Sequence, residues 1–96
     1  MILECSDWVQ IKENKREEYL DEINANHLIE TFRKHPGNVF YQIGLSCTDP
    51  NTLIVCDGWD GMENFKKHDA SPDVDVWRSI YSKYVVNCTS YLTETI

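Results

Sequence analysis

The chain has no long apolar run, no closely spaced cysteine pair and few basic residues. Its uninterrupted apolar stretches are only a few residues long, too short to span a bilayer. The opening "MILECSDWVQ" lacks the basic start and the extended apolar segment of a secretory signal, so a cytoplasmic location is expected. Nine Lys and Arg face 16 Asp and Glu, a formal charge of −7. Such a surface repels phosphate backbones and anionic headgroups, so neither nucleic acid nor a membrane is an expected partner. The four cysteines, Cys5, Cys47, Cys56 and Cys88, form no CxxC pair. That disfavours a zinc site and a thioredoxin-like couple. They read as four small buried hydrophobes in a reducing compartment, with no metal expected. No linker, low-complexity segment or repeat divides the chain, and residues 1–96 are read as a single domain.

What is present is an ordinary apolar fraction of 42%, rich in aromatics: three Trp, five Tyr and three Phe. Residues 2–11, "ILECSDWVQI", suit a strand with Leu3, Cys5, Val9 and Ile11 on one face and Ile2 and Trp8 on the other. Both faces carry bulk, which predicts a central strand covered on two sides. "KENKREEYL" opens a helix whose pattern continues to His35, where Pro36-Gly37 ends it. "NVFYQIGLSCT" alternates cleanly, "DPNT" supplies turn residues, and "LIVCDGWD" returns, so 38–60 reads as an antiparallel hairpin. "GMENFKKHDA" reads as a short helix with Met62 and Phe65 inward. Ser71-Pro72 fits an N-cap followed by proline at the first helical position. Val74, Trp77, Ile80, Tyr81 and Tyr84 then fall at helical spacing on one stripe, and "VVNCTSYLTETI" reads as a last strand. The order β-α-β-β-α-β predicts an α+β, ferredoxin-like fold with a four-stranded antiparallel sheet and helices on one face. The other face carries enough apolar residues to need cover, and a second copy of the chain is the economical supplier.

Three histidines could carry chemistry. At 100° per residue along the first helix, His27 falls near the middle of the arc shared by Tyr19, Leu20, Ile23, Leu28 and Thr31. It then points at the sheet, with Asn24 one turn earlier able to hold its tautomer. His68 lies about 60° from Phe65 on its helix, at the border of the buried stripe, where exposure is the default. His35, beside Pro36, reads as a helix-end residue favouring the dipole. Trp77, Tyr81 and Tyr84 suit a core as well as a ligand box. Trp59 and Trp8 could line the space between sheet and helices, and Trp8 could equally anchor a dimer.

The order of elements, with "HPGNVFYQ", "DPNTLIVCDGW" and "FKKHDASP", resembles the antibiotic biosynthesis monooxygenase family over essentially the whole chain. That family includes small quinol monooxygenases, anthrone oxygenases and an isomerase of a phosphorylated quorum signal. The resemblance implies a dimeric α+β barrel with one pocket per subunit and, in the oxygenase branch, catalysis without metal, flavin or other cofactor. It matches Trp59 to the strand-end tryptophan, His68 to the histidine before Ser-Pro, and His27 to a helix histidine of part of the family. Two positions depart from the pattern. Asp57 stands where Glu is frequent, and Asp73 stands where a histidine often follows Ser-Pro, which removes one candidate base. Asp7 stands near the first-strand asparagine of the haem-degrading relatives, but no histidine follows Pro72, so haem is not an expected substrate.

The expected reaction is oxidation of a quinol or anthrone by dioxygen, the ring held among Trp59, Trp77, Tyr81 and Tyr41. His27 is the expected base, because imidazole titrates near neutral pH. Two alternatives use the same residues differently: an isomerase or tautomerase in which His27 and His68 shuttle a proton, and a non-catalytic dimeric ligand-binding domain.

Overall fold

The computed structural model describes residues 2–96. Its elements are β1 (Leu3–Ile11), α1 (Arg16–Ala25), α2 (Leu28–Arg33), β2 (Asn38–Leu45), β3 (Thr52–Trp59), α3 (Met62–Asp69), α4 (Pro72–Tyr84) and β4 (Val85–Glu94). The strands form one antiparallel sheet in the order β2-β3-β1-β4, and the fold is the expected ferredoxin-like α+β arrangement. The hairpin of residues 38–60 is present, with Tyr41 opposite Asp57 and Ile43 opposite Val55.

Alternation sorts the sheet into two faces. The face toward the helices carries Leu3, Val9 and Ile11 from β1, Tyr41 from β2, and Leu53, Val55 and Trp59 from β3, all buried. Tyr19 and Ile23 of α1, Leu28 and Phe32 of α2, and Val74 and Ile80 of α4 complete that core. The other face is not sealed. β1 is central, as expected, yet Trp8 is 51% exposed there, with Tyr91 of β4 exposed nearby. At Gly58 a Cβ would come within 2.3 Å of the Phe40 ring, so this glycine lets an aromatic lie flat across the sheet.

Two features of the helical layer set up the site. Ser71 caps α4, its hydroxyl accepting from Val74 N at 3.3 Å, and Pro72 follows as the sequence predicts. The first helical segment, by contrast, is broken. Asn26 and His27 separate α1 from α2, with His27 in the left-handed region at φ 53°, ψ 33°. Asn24 O accepts from His27 N, and the helix restarts at Leu28 at a new rotation. A helical projection across residues 16–33 is therefore invalid past Ala25.

Two burial expectations need correction. Met62 is exposed, because only the Phe65 and His68 side of the short α3 meets the sheet. Cys47 lies exposed just past the end of β2, while Cys5, Cys56 and Cys88 are half-buried; all four are free thiols. No helix among the described residues is long and apolar enough to cross a membrane.

Candidate functional site

The break between α1 and α2 moves His27 off the core. Its side chain is 73% exposed and pairs loosely with Glu30 at 3.6 Å, so the expected inward base is a surface residue. Asn24 is exposed as well, on the rim of a shallow hollow of about 360 Å³ with Leu20, Ile29, Glu30, Arg33, Ile43 and Leu45.

The imidazole that does face inward is His68, only 7% exposed. It lies in the last turn of α3, which sets its ring over the end of β3. There it stacks on Trp59, centroids 4.3 Å apart and planes at 28°. Phe32 meets it edge-on at 4.9 Å and Tyr41 at 5.9 Å. The fourth neighbour is His35, whose Nδ1 lies 2.8 Å from His68 Nδ1. His35 Nε2 in turn donates to Asp73 Oδ2 at 2.9 Å. Asp73, His35 and His68 thus form one hydrogen-bonded line. Each member comes from a different element: the first turn of α4, the turn after α2, and α3. Burial pushes His68 down to about 4, with His35 and then Arg78 adding to the fall and Asp73 opposing it. The ring is neutral at neutral pH. A cavity of about 220 Å³ opens beside the pair, lined by His35, Pro36, Asn64, Lys67, His68 and Ser71.

Behind Trp59 lies a second polar group. Trp59 Nε1 donates to Asp57 Oδ2 at 2.6 Å. Asp57 neighbours Cys5 across the β1–β3 ladder, and Asp7 is the next inward position of β1. Cys5 Sγ, Asp7 and Asp57 place one donor atom each within 4.8 Å of one another. Burial drives the Asp57 carboxyl up to about 7; the indole hydrogen bond opposes this and Asp7 adds to it. Burial first, then Asp7 and Asp57, push the Cys5 thiol up, so it stays protonated. A thiol and two carboxylates are donors a divalent cation could use. Here one oxygen of each carboxylate already serves the protein: Asp57 accepts from Trp59 and Asp7 from Ser90 Oγ at 2.6 Å.

The expected aromatic box divides. Tyr41 and Trp59 join the His68 cluster. Trp77 and Tyr81 pack on each other at 5.1 Å, in a half-buried layer flanking α1 and β4. Trp8 lies across the sheet, on the uncovered face. His35 and Asp73 escaped the sequence reading, since they are 38 residues apart and one looked like a helix end. The only signal was their position, one beside Pro36 at the hairpin start and the other beside Ser71-Pro72, both at chain reversals that the fold brings together.

A family model for antibiotic biosynthesis monooxygenase matches residues 9–79. Among curated proteins none matches the chain. Solved structures with similar folds include a conserved protein from Methanosarcina mazei, at 16% identity and TM-score 0.90, covering 100% of this chain and 94% of that one. A Nitrosomonas europaea protein carrying the same family description aligns at 17% identity and TM-score 0.89, over 99% of this chain and 90% of its own. A third, described as an antibiotic biosynthesis monooxygenase, aligns at 18% identity and TM-score 0.83, over 98% of each chain. At such identities these likenesses establish the fold alone.

Proposed function

Because the chain belongs to the antibiotic biosynthesis monooxygenase family, we propose that it oxidises a small electron-rich aromatic of the quinol or anthrone type with dioxygen, using His68 as base. The observation that carries this reading is a buried, neutral imidazole stacked on Trp59 and lining a cavity. At about 220 Å³ the cavity falls below the usual range of small-molecule sites, which within that class favours a one- or two-ring quinol over a three-ring anthrone.

His68 removes a phenolic proton, and the resulting anion gives one electron to dioxygen, forming a substrate radical and superoxide. Their recombination makes the new C–O bond. Loss of the outer oxygen as water then yields the oxygenated quinone. The electrons come from the substrate, so the scheme calls on no cofactor. Trp59, held by Asp57, fixes the plane of the imidazole, and Phe32 and Tyr41 keep water from its buried sides.

The contact between His35 and His68 also suits a second reading, proton shuttling in an isomerase or tautomerase that consumes no oxygen. An oxygen electrode separates the two. With menadiol as substrate, the oxidase reading expects uptake above autoxidation that His68→Ala abolishes and His27→Ala preserves. Uptake indifferent to His68→Ala would sink the assignment.

The working unit in this proposal is a homodimer joined through the open sheet face, where Trp8 and Tyr91 are exposed. Four free thiols and an acidic surface suit a reducing cytoplasm.

A further inference from the structure

The proposed base poses a difficulty, because an imidazole that resists protonation when buried is a poor resting place for a substrate proton. The hydrogen-bonded line beside it resolves this. An aspartate carboxylate can only accept, so Asp73 requires the hydrogen of His35 on Nε2. Carrying that hydrogen alone, His35 presents a bare Nδ1. The 2.8 Å contact between the two Nδ1 atoms needs one hydrogen, which His68 must therefore supply. That leaves His68 Nε2 as a lone pair. Among the described residues no protein group bonds this atom, and it is not sealed either, since the one sealed and unpartnered side-chain polar atom is Tyr19 Oη.

Resting on the oxidase reading above, we propose that Asp73 and His35 are positioning residues that set the tautomer of His68 and carry away the positive charge it would otherwise hold. When substrate gives a proton to His68 Nε2, the hydrogen on His68 Nδ1 crosses to His35 Nδ1. His68 ends neutral, now protonated at Nε2. His35 ends as an imidazolium against the Asp73 carboxylate, whose side chain is 47% exposed to water. One proton enters, one bridging proton shifts, and the charge moves from the buried ring to the rim. Return of the proton, to the peroxide or to solvent, reverses both steps. Asp73, which takes the place of a histidine frequent in the family, thereby becomes the anchor of the line.

The test is direct, because tautomers are visible without turnover. In nitrogen-15 NMR of the full-length protein near neutral pH, His68 should be the Nδ1–H tautomer with Nε2 bare, although free imidazole side chains favour Nε2–H. His35 should be Nε2–H. Finding His68 protonated at Nε2 overturns the proposal. Asp73→Ala, at a side chain 47% exposed, should release His68 toward Nε2–H and lower kcat with menadiol roughly 10- to 100-fold, with KM little changed. Asp73→Glu should restore part of both. An unchanged His68 tautomer in Asp73→Ala also overturns it. If the wild type shows these tautomers yet consumes no oxygen, the oxidase reading fails while the relay stands.

Discussion

A carboxyl that keeps its proton to about pH 7 makes folding depend on pH, and Asp57 is such a group. Unfolded, it ionises near 3.9. Its raised value therefore adds stability that is complete below about pH 4 and is lost as pH rises toward 7. His68 works in the opposite sense. Its lowered value means that stability falls as pH drops from about 6.5 toward 4, because the unfolded ring takes up a proton the folded one refuses. The two slopes oppose each other across the same window, so the wild type should look flatter than either group alone. Asp57→Asn, which can still accept from the Trp59 indole, should unmask the His68 slope. Chemical denaturation at pH 5 and pH 7 should show the variant gaining about 2 kcal/mol relative to wild type between those two values; a constant difference would refute the buried proton. His27 gives the contrasting residue-scale case. Held at positive φ on the surface, it should accept His27→Gly with stability unchanged or raised by about 1 kcal/mol, and with oxygen uptake intact. A loss of uptake in that variant would return the base to His27.

Elements whose boundaries are written in local chemistry follow the sequence closely, and Ser71-Pro72 is the clearest. The serine hydroxyl caps α4 and the proline starts it. Ser71→Ala should therefore cost about 1 kcal/mol, or roughly 4–8 °C in Tm for a domain of this size. Because Ser71 also lines the cavity, a small change in KM should accompany the thermal shift. The alternating hairpin strands and the Pro36-Gly37 stop were legible for the same reason: they depend on period and on turn residues. The break at Asn26-His27 was not. No proline or glycine marks it, and the apolar residues on either side continue a plausible stripe. What reverses the reading is tertiary: α1 packs with α4, while α2 turns to cover β2. That rotation exposes His27 and buries Phe32, which in turn meets His68. The Asp73–His35–His68 line was illegible in kind, since it joins three element ends through space and carries no sequence spacing.

On the scale of the whole molecule, the sheet has one face packed and one open, and that asymmetry bears on assembly. On the open side, Trp8 and Tyr91 border a hollow of about 200 Å³ with Gln10, Thr52, Asn87 and Thr89. Phe40 lies flat over Gly58 on the same side, and Ile54 is only half-buried. Aromatic anchors ringed by small polar groups are what the centre of a protein interface is made of. Pairing two such faces sets two chains of formal charge −7 against each other, a repulsion that salt screens while leaving apolar burial intact. The expected dimer should therefore tighten with rising salt, the reverse of an association built on ion pairs. Sedimentation of the wild type at micromolar concentration should give a dimer. Trp8→Glu should give a monomer whose far-ultraviolet circular dichroism is unchanged, because Trp8 contributes nothing to the buried core on the helix side. The His68 cluster lies across the sheet from this surface, so the monomer should keep the tautomer pattern of the histidine pair. A wild type that sediments as a monomer at every salt concentration would remove the dimer from the account and leave the imidazole line standing on one chain alone.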